Sequence, residues 1–186
     1  MYILGDIGNT ETKIFLLNSD FKILKGTKFS TQKINQKNIK SKFKFLKYDL
    51  KNVEKNLFCS VVPKSFNLIR KFLLKNSKGR CYEIKDLNLR SLINVKVNFR
   101  QVGSDRITNA ISLLDNKNNY IIIDFGTATT FDVVLKKTYI GGVIAPGIQI
   151  SLNSLSDKAS LIPKIYLRKV KKVIGINTTT AVRSGF

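Results

Sequence analysis

Asp6, Gly8, Asn9, Thr10 and Thr12 stand close together between two apolar runs, and Asp124, Gly126, Thr127, Thr129 and Thr130 repeat the arrangement later in the chain. Laid over each other without a gap, YILGDIGNTETKIFLL at 2–17 and YIIIDFGTATTFDVVL at 120–135 put Asp6 on Asp124, Gly8 on Gly126, Thr12 on Thr130 and Leu17 on Leu135. Glycine in such a turn lets backbone N–H groups approach an oxygen closely, and Asn and Thr side chains can donate to phosphate. A carboxylate repels phosphate unless a cation lies between them. Asp6 and Asp124 therefore suit a hard cation, because magnesium on a nucleotide is held by one or two carboxylates. Lys13 helps if it faces the cleft and is otherwise a solvated strand residue. One Asp-x-Gly-x-Thr is an ordinary hairpin turn. Two copies with matching apolar flanks predict a duplicated fold, with two phosphate-facing loops across a cleft.

A third cluster, Gly103-Ser104-Asp105-Arg106, opens a segment in which Ile107, Ala110, Ile111 and Leu114 share one helical face. An acid in a first helical turn is favoured by the helix dipole, and the exposed N–H groups there suit an anion. Taken alone, the cluster reads equally well as a helix start with a solvated arginine.

Regular elements must position these residues. Strands are predicted at 2–6, 12–18 and 21–27, and a Lys-rich helix at 33–47 with Ile34, Ile39, Phe43 and Leu46 on a thin apolar stripe. A strand at 57–62 leads to Pro63, which starts a helix with Phe66, Ile69 and Leu73 on one face, ending near Gly79. Another strand follows at 80–84. The polar stretch 115–119 marks a lobe boundary, giving lobes 1–115 and 116–186. In the second lobe Gly141-Gly142-Val143-Ile144-Ala145-Pro146-Gly147 reads as a strand and a turn into a helix from Ile148, and a last helix starts near Thr178.

Composition excludes several classes. The chain has 186 residues, 43% of them apolar, which is enough for a core and far from disorder. No apolar run approaches a membrane span, and the start MYILGDIGN lacks a basic region and carries Asp6, so a cytoplasmic protein is expected. Cys59 and Cys81 form no CxxC and there is no His, so both are expected to be reduced, mostly buried thiols. The formal charge of +21 would fit nucleic acid. Its excess sits on intervening segments such as 37–44, whereas residues 1–20 hold Lys13 against Asp6, Glu11 and Asp20. The basic residues are mostly lysines, which read bases and phosphates less specifically than arginine. The charge is therefore read as a solvated surface that also raises the local concentration of anionic substrates, and no nucleic-acid partner is expected.

The paired loops resemble those of the actin and sugar-kinase superfamily. The set DIGNTETK at 6–13, GSDRITNA at 103–110, DFGTATTFD at 124–132, GGVIAPG at 141–147 and IGINTTTAVRSG at 174–185 is similar to the type III pantothenate kinase family. The resemblance implies an α/β, two-lobed actin-like (ribonuclease H-like) ATPase fold with duplicated mixed sheets. It implies phosphorylation of pantothenate by ATP, the first step toward coenzyme A, in a homodimer. Asp105 would be the general base. Asp6, Ile7, Gly8, Asn9, Thr10, Glu11, Thr12, Lys13 and Thr127 would bind ATP, with Asp6 near Mg2+. Gly103, Ser104, Asp105 and Arg106 would hold pantothenate, joined by Thr178 across the dimer interface. Asp124 would bind a monovalent cation, K+ or NH4+.

Lys96 and Phe99 depart from the family, which has Tyr and Pro there; Lys96 would pair with the pantothenate carboxylate. Family members also continue past the Ser-Gly at 184–185. The second lobe is therefore expected to be incomplete, with apolar surface of its sheet exposed. Two other readings remain at this point: another sugar-kinase-like phosphotransferase, or a non-catalytic relative acting as an accessory transcription or nucleic-acid-binding factor.

Overall fold

The computed structural model describes residues 1–46 and 49–186. A five-stranded mixed sheet is built from β1 (Tyr2–Ile7), β2 (Glu11–Leu17), β3 (Ile23–Ser30), β4 (Lys55–Ser60) and β5 (Arg80–Glu83), in the order β3-β2-β1-β4-β5. β1 to β3 run antiparallel to one another, while β4 and β5 continue parallel to β1.

Strand alternation decides which face is buried. Ile3, Gly5 and Ile7 share a face with Thr12, Ile14 and Leu16 of β2 and with Asn56 and Phe58 of β4. On that face Ile3, Ile7, Ile14, Leu16 and Phe58 are buried in one core with Phe66, Ile69 and Leu73 of α2 (Pro63–Asn76). The Phe58 ring lies over Gly5, where an added Cβ would sit 2.1 Å from it. Each fully buried side chain of this kind contributes about 1.5–3 kcal/mol. The opposite face carries Asp6, Lys13 and Cys59 in register.

The segment predicted as one helix at 33–47 is broken. Thr31–Lys33 and Lys44–Leu46 are 3-10 turns, and only α1 (Ile39–Lys42) is α-helical. Asn35 and Asn38 cause the break, because their side-chain oxygens accept backbone N–H groups of Lys37, Asn38 and Asn35 and compete with helical bonds. The apolar stripe still reaches the core through Ile34, Ile39, Phe43 and Leu46. Lys47, the last residue of that predicted helix, lies outside the described residues.

α3 (Ser104–Ser112) follows the short strand β6 (Asn94–Val95). β7 (Asn119–Phe125), β8 (Ala128–Leu135) and β9 (Thr138–Pro146) complete a four-stranded sheet of order β6-β9-β8-β7. β9-β8-β7 repeats β3-β2-β1. In the first sheet β4 pairs with the outer edge of β1; among the described residues no strand pairs with the outer edge of β7. Ile121, Ile123 and Phe125 of that strand are exposed, as are Val143 and Ile144 of β9. The apolar exposure expected on the second sheet is thus present at these residues. α4 (Ile148–Lys158) and α5 (Thr178–Gly185) follow.

The chain divides into two compact units, Met1–Tyr120 with Val133–Gly141, and Ile121–Asp132 with Gly142–Phe186. The division does not fall between 115 and 116, because β6 pairs with the tip of the β8–β9 hairpin at Asn94–Thr138 and Val95–Tyr139. Those contacts bring 133–141 into the first unit.

Candidate active site

In the first unit, the loop between β1 and β2 is closed by Gly8 N–H donating to the Glu11 carbonyl at 3.1 Å. Asn9 and Thr10 form its exposed tip. The Thr10 carbonyl accepts from Thr31 N–H at 3.0 Å, which ties the loop to the end of β3. Asp6, half-buried, lies opposite Lys13 across the hairpin, and the Lys13 side chain is exposed.

The expectation that all of 6–13 meets ATP needs correction at two side chains. Ile7 and Thr12 point to the buried face and are fully inaccessible. The Thr12 hydroxyl shares a 2.8 Å hydrogen bond with that of Thr31, so it holds two elements together rather than facing a ligand. The cause is the strand period of two, which sends neighbours of Asp6 and Lys13 inward. Glu11 lies 3.7 Å from Lys28 in an exposed pair.

The second group of predicted residues opens α3. Gly103 is the helix cap and Asp105 lies in the first turn. Asp105 Oδ1 accepts from the Arg106 N–H at 2.8 Å, which folds the carboxylate back over Gly103. A Cβ on Gly103 would sit 2.3 Å from that oxygen. Ser104 is buried, and Arg106 is half-buried. Lys85 anchors the segment leading into this helix. Its ammonium donates to the carbonyls of Val102 at 2.8 Å and Arg100 at 3.1 Å. It also lies 5.2 Å from the centre of the Phe99 ring, a cation–π contact that gives Phe99 a structural role at its unusual position. Lys96 is exposed, and its backbone N–H donates to the Tyr139 carbonyl at 3.0 Å.

Asp6 is bonded to a residue read from sequence only as a buried thiol. Cys59 lies beside Asp6 in the β1–β4 register and donates to Asp6 Oδ1 at 3.5 Å. Burial, followed by the charges of Asp6 and Asp105, pushes its thiol up to about 12, and the Thr108 hydroxyl also reaches it. Nothing in the linear spacing signals this. Parallel pairing of β1 with β4 across 53 positions creates it.

In the second unit, the loop between β7 and β8 is one residue tighter, with Gly126 N–H donating to the Ala128 carbonyl at 3.0 Å. The gapless repeat therefore hides two different turns. Gly147 packs directly on this loop. Its N–H donates to the Thr127 carbonyl at 3.1 Å, and a Cβ there would sit 2.3 Å from the same oxygen. The Gly141–Gly147 motif thus buttresses the second loop through backbone contact and then enters α4. Asp124 and Thr127 are exposed. Asp132, not singled out in the sequence, is fully buried and accepts from the Thr130 hydroxyl at 3.4 Å. Thr178 is the exposed first residue of α5, which Asn177 and Thr180 close with reciprocal side-chain bonds of 2.9 and 3.1 Å.

Among the described residues no three His, Cys, Asp or Glu side chains cluster as a metal cage. Asp6 alone at a strand end fits magnesium carried by a nucleotide, which needs one or two carboxylates from protein. Among the same residues no helix is long and apolar enough to cross a membrane.

Comparison with known proteins gives the family and the fold. The type III pantothenate kinase of Pelagibacter ubique is 56% identical over 186 residues, covering 100% of this chain and 75% of that protein. The type III pantothenate kinase of Thermus thermophilus is 33% identical over 194 residues, again covering 100% of this chain and 75% of its own length. Among solved structures, a protein described as a Baf family transcriptional activator from Campylobacter jejuni superposes with a TM-score of 0.54 at 20% identity, over 98% of this chain and 72% of that one. A Sinorhizobium meliloti protein described as a 2-dehydro-3-deoxygalactonokinase gives 0.52 at 7% identity, over 87% of this chain and 58% of that one. Both likenesses support the two-lobed α/β kinase fold alone. The profile of the type III pantothenate kinase family matches residues 2–186, and this chain belongs to that family.

Proposed function

We propose that this chain transfers the γ-phosphoryl group of ATP to the primary hydroxyl of pantothenate, giving 4'-phosphopantothenate and ADP in the cytoplasm. The observation that carries the reading is Asp6 near the end of β1, bonded to Cys59 of β4, with α3, which opens at Ser104-Asp105, packed against β4. We assign Asp6 to a nucleotide-bound cation and Asp105 to the proton.

In the transfer, the pantothenate hydroxyl oxygen forms a bond to the γ-phosphorus as the bond from that phosphorus to the bridging oxygen of ADP breaks. The hydroxyl proton passes to the Asp105 carboxylate. Phosphoryl transfer asks the protein mainly for positioning and charge stabilisation. Asn9 and Thr10 offer N–H and side-chain donors to phosphate at the loop tip, Gly8 closes the turn that presents them, and Lys13 adds positive charge on the face of Asp6. Asp6 would hold magnesium carried by the nucleotide, which would supply neutralisation of the developing charge. Ser104 and Arg106 orient pantothenate, with the guanidinium offering a planar pair of donors. Lys96 takes the substrate carboxylate. Thr127 contacts phosphate, Asp124 and neighbouring oxygen donors hold K+ or NH4+, and Thr178 completes the pantothenate site of a second copy in a homodimer.

The test is phosphopantothenate formation from pantothenate, Mg·ATP and K+ or NH4+, followed by phosphorus NMR. Asp105→Asn should abolish turnover while leaving the melting temperature within a few degrees. A folded Asp105→Asn chain with unchanged turnover would refute the role given to this base, and product formed equally from unrelated alcohols would refute the substrate.

A further inference from the structure

The mechanism above uses Asp6 and leaves the thiol bonded to it without a task. Cys59 stands opposite Asp6 in the parallel register of β1 and β4 and donates its S–H to Asp6 Oδ1 at 3.5 Å. α3 packs against β4, and the Thr108 hydroxyl of that helix reaches the thiol. Thr108 is itself fixed, donating to the Ser104 carbonyl at 2.7 Å. The thiol therefore touches both elements whose relative placement sets the distance between cation site and base.

The charges of Asp6 and Asp105 both disfavour a thiolate at Cys59. An anionic group there would add repulsion, and an aliphatic side chain would leave Asp6 without this donor. A neutral thiol avoids both: it donates one weak hydrogen bond and fills the space with a large polarisable atom.

We infer that Cys59 is a positioning residue, whose S–H holds the Asp6 carboxylate in its nucleotide-binding orientation. This rests on the role given above to Asp6. The chemistry is that of a fixed hydrogen bond, with no covalent step at sulfur.

The experiment compares Cys59→Ala, which removes the donor, with Cys59→Ser, which keeps one. Mg·ATP affinity is measured by calorimetry and KM for pantothenate by turnover. Cys59→Ala should weaken Mg·ATP binding roughly 3- to 10-fold, the size of one weak bond to a charged group, and leave KM for pantothenate within about twofold. Cys59→Ser should restore ATP affinity. A merely structural role would instead move both substrates alike, or leave Ser and Ala equal. The S–H stretching band of Cys59, isolated as the difference spectrum between the chain and Cys59→Ala, should shift to higher frequency in Asp6→Asn. An unshifted band, or an Ala variant with unchanged ATP affinity, overturns the inference. Failure of the functional reading looks different: Asp105→Asn keeps its turnover while the Cys59 variants still alter ATP binding.

Discussion

Gly103→Ala is the sharpest test of how the base is held. The backbone of Gly103 has φ −61° and ψ 144°, a conformation that alanine adopts without strain. The glycine is needed for space. A Cβ would lie 2.3 Å from Asp105 Oδ1 and 3.4 Å from its Cγ, with Val61 Cγ1 at 3.5 Å limiting retreat to that side. Real carbon–oxygen contacts of this kind do not fall below 3.0 Å, so the carboxylate must swing away by about 1 Å. It would lose the 2.8 Å bond from Arg106 N–H that now fixes it. A misplacement of about 1 Å at a reacting group costs roughly 100-fold in rate, or about 2.7 kcal/mol of transition-state stabilisation. Stability should move the other way, because alanine restricts the unfolded chain by about 0.4–1 kcal/mol. The expected result is a chain that melts at or slightly above the parent temperature and turns over about 100-fold more slowly. The assay is kcat for phosphopantothenate formation beside a thermal melt. A kcat within twofold of the parent in a folded chain would refute the claim that Gly103 makes room for the Asp105 carboxylate; so would a loss explained entirely by unfolding.

Lys85→Met should keep the packing of the stem but release the carbonyls of Arg100 and Val102; faster amide exchange over 100–106 and a several-fold drop in kcat are expected, and unchanged exchange there would remove Lys85 from the design. Gly147→Ala should destabilise the second unit by more than about 2 kcal/mol, because its Cβ would meet backbone oxygens of Gly126 and Thr127 at 2.5 and 2.3 Å that cannot swing aside; a melt equal to the parent would contradict this. Both thiols are raised, Cys59 to about 12 and Cys81 to about 11, each chiefly by burial, from an ordinary value of 9.0. The unfolded chain therefore releases these protons first, so stability falls as pH rises above 9.0, by up to about 1.4 kcal/mol per pH unit for each thiol. Denaturant melts at successive pH values should show a shallower alkaline slope in Cys59→Ser. Asp115 is held below the ordinary carboxylate range by the Asn118 N–H, the Tyr120 hydroxyl and the Lys117 N–H, so its turn should persist through mildly acid pH and loosen only as pH falls through that depressed value, which NMR of Asn118 would follow.

Much of the site was legible in the linear pattern. Asp-x-Gly between apolar runs marks a strand, a turn and a strand wherever it occurs, so both loops and their duplication could be read directly. The helix at Gly103 and its buried Ile107 and Ala110 followed from a period of 3.6, and Pro63 announced α2 with Phe66, Ile69 and Leu73 inward. The helix expected over 33–47 failed because local side-chain bonds from Asn35 and Asn38 outcompeted a weak stripe, a contest that periodicity does not weigh. That the Thr12 side chain is buried was not legible, because a motif describes a run of residues, whereas a strand turns alternate ones inward.

The sequence by itself determined which residues can handle phosphate, cation and proton, because side-chain chemistry is local. The tertiary structure decided which of them share a space. Pairing of β1 with β4 joins positions 53 apart, so that Asp6 and Cys59 bond, and α3, which carries Asp105, packs against β4. Only the packed backbone shows that Gly103 and Gly147 are glycines for clearance, one beside a carboxylate and the other beside a loop. Side-chain type travels with the chain, but clearance and convergence exist only once distant strands and helices have closed on one another.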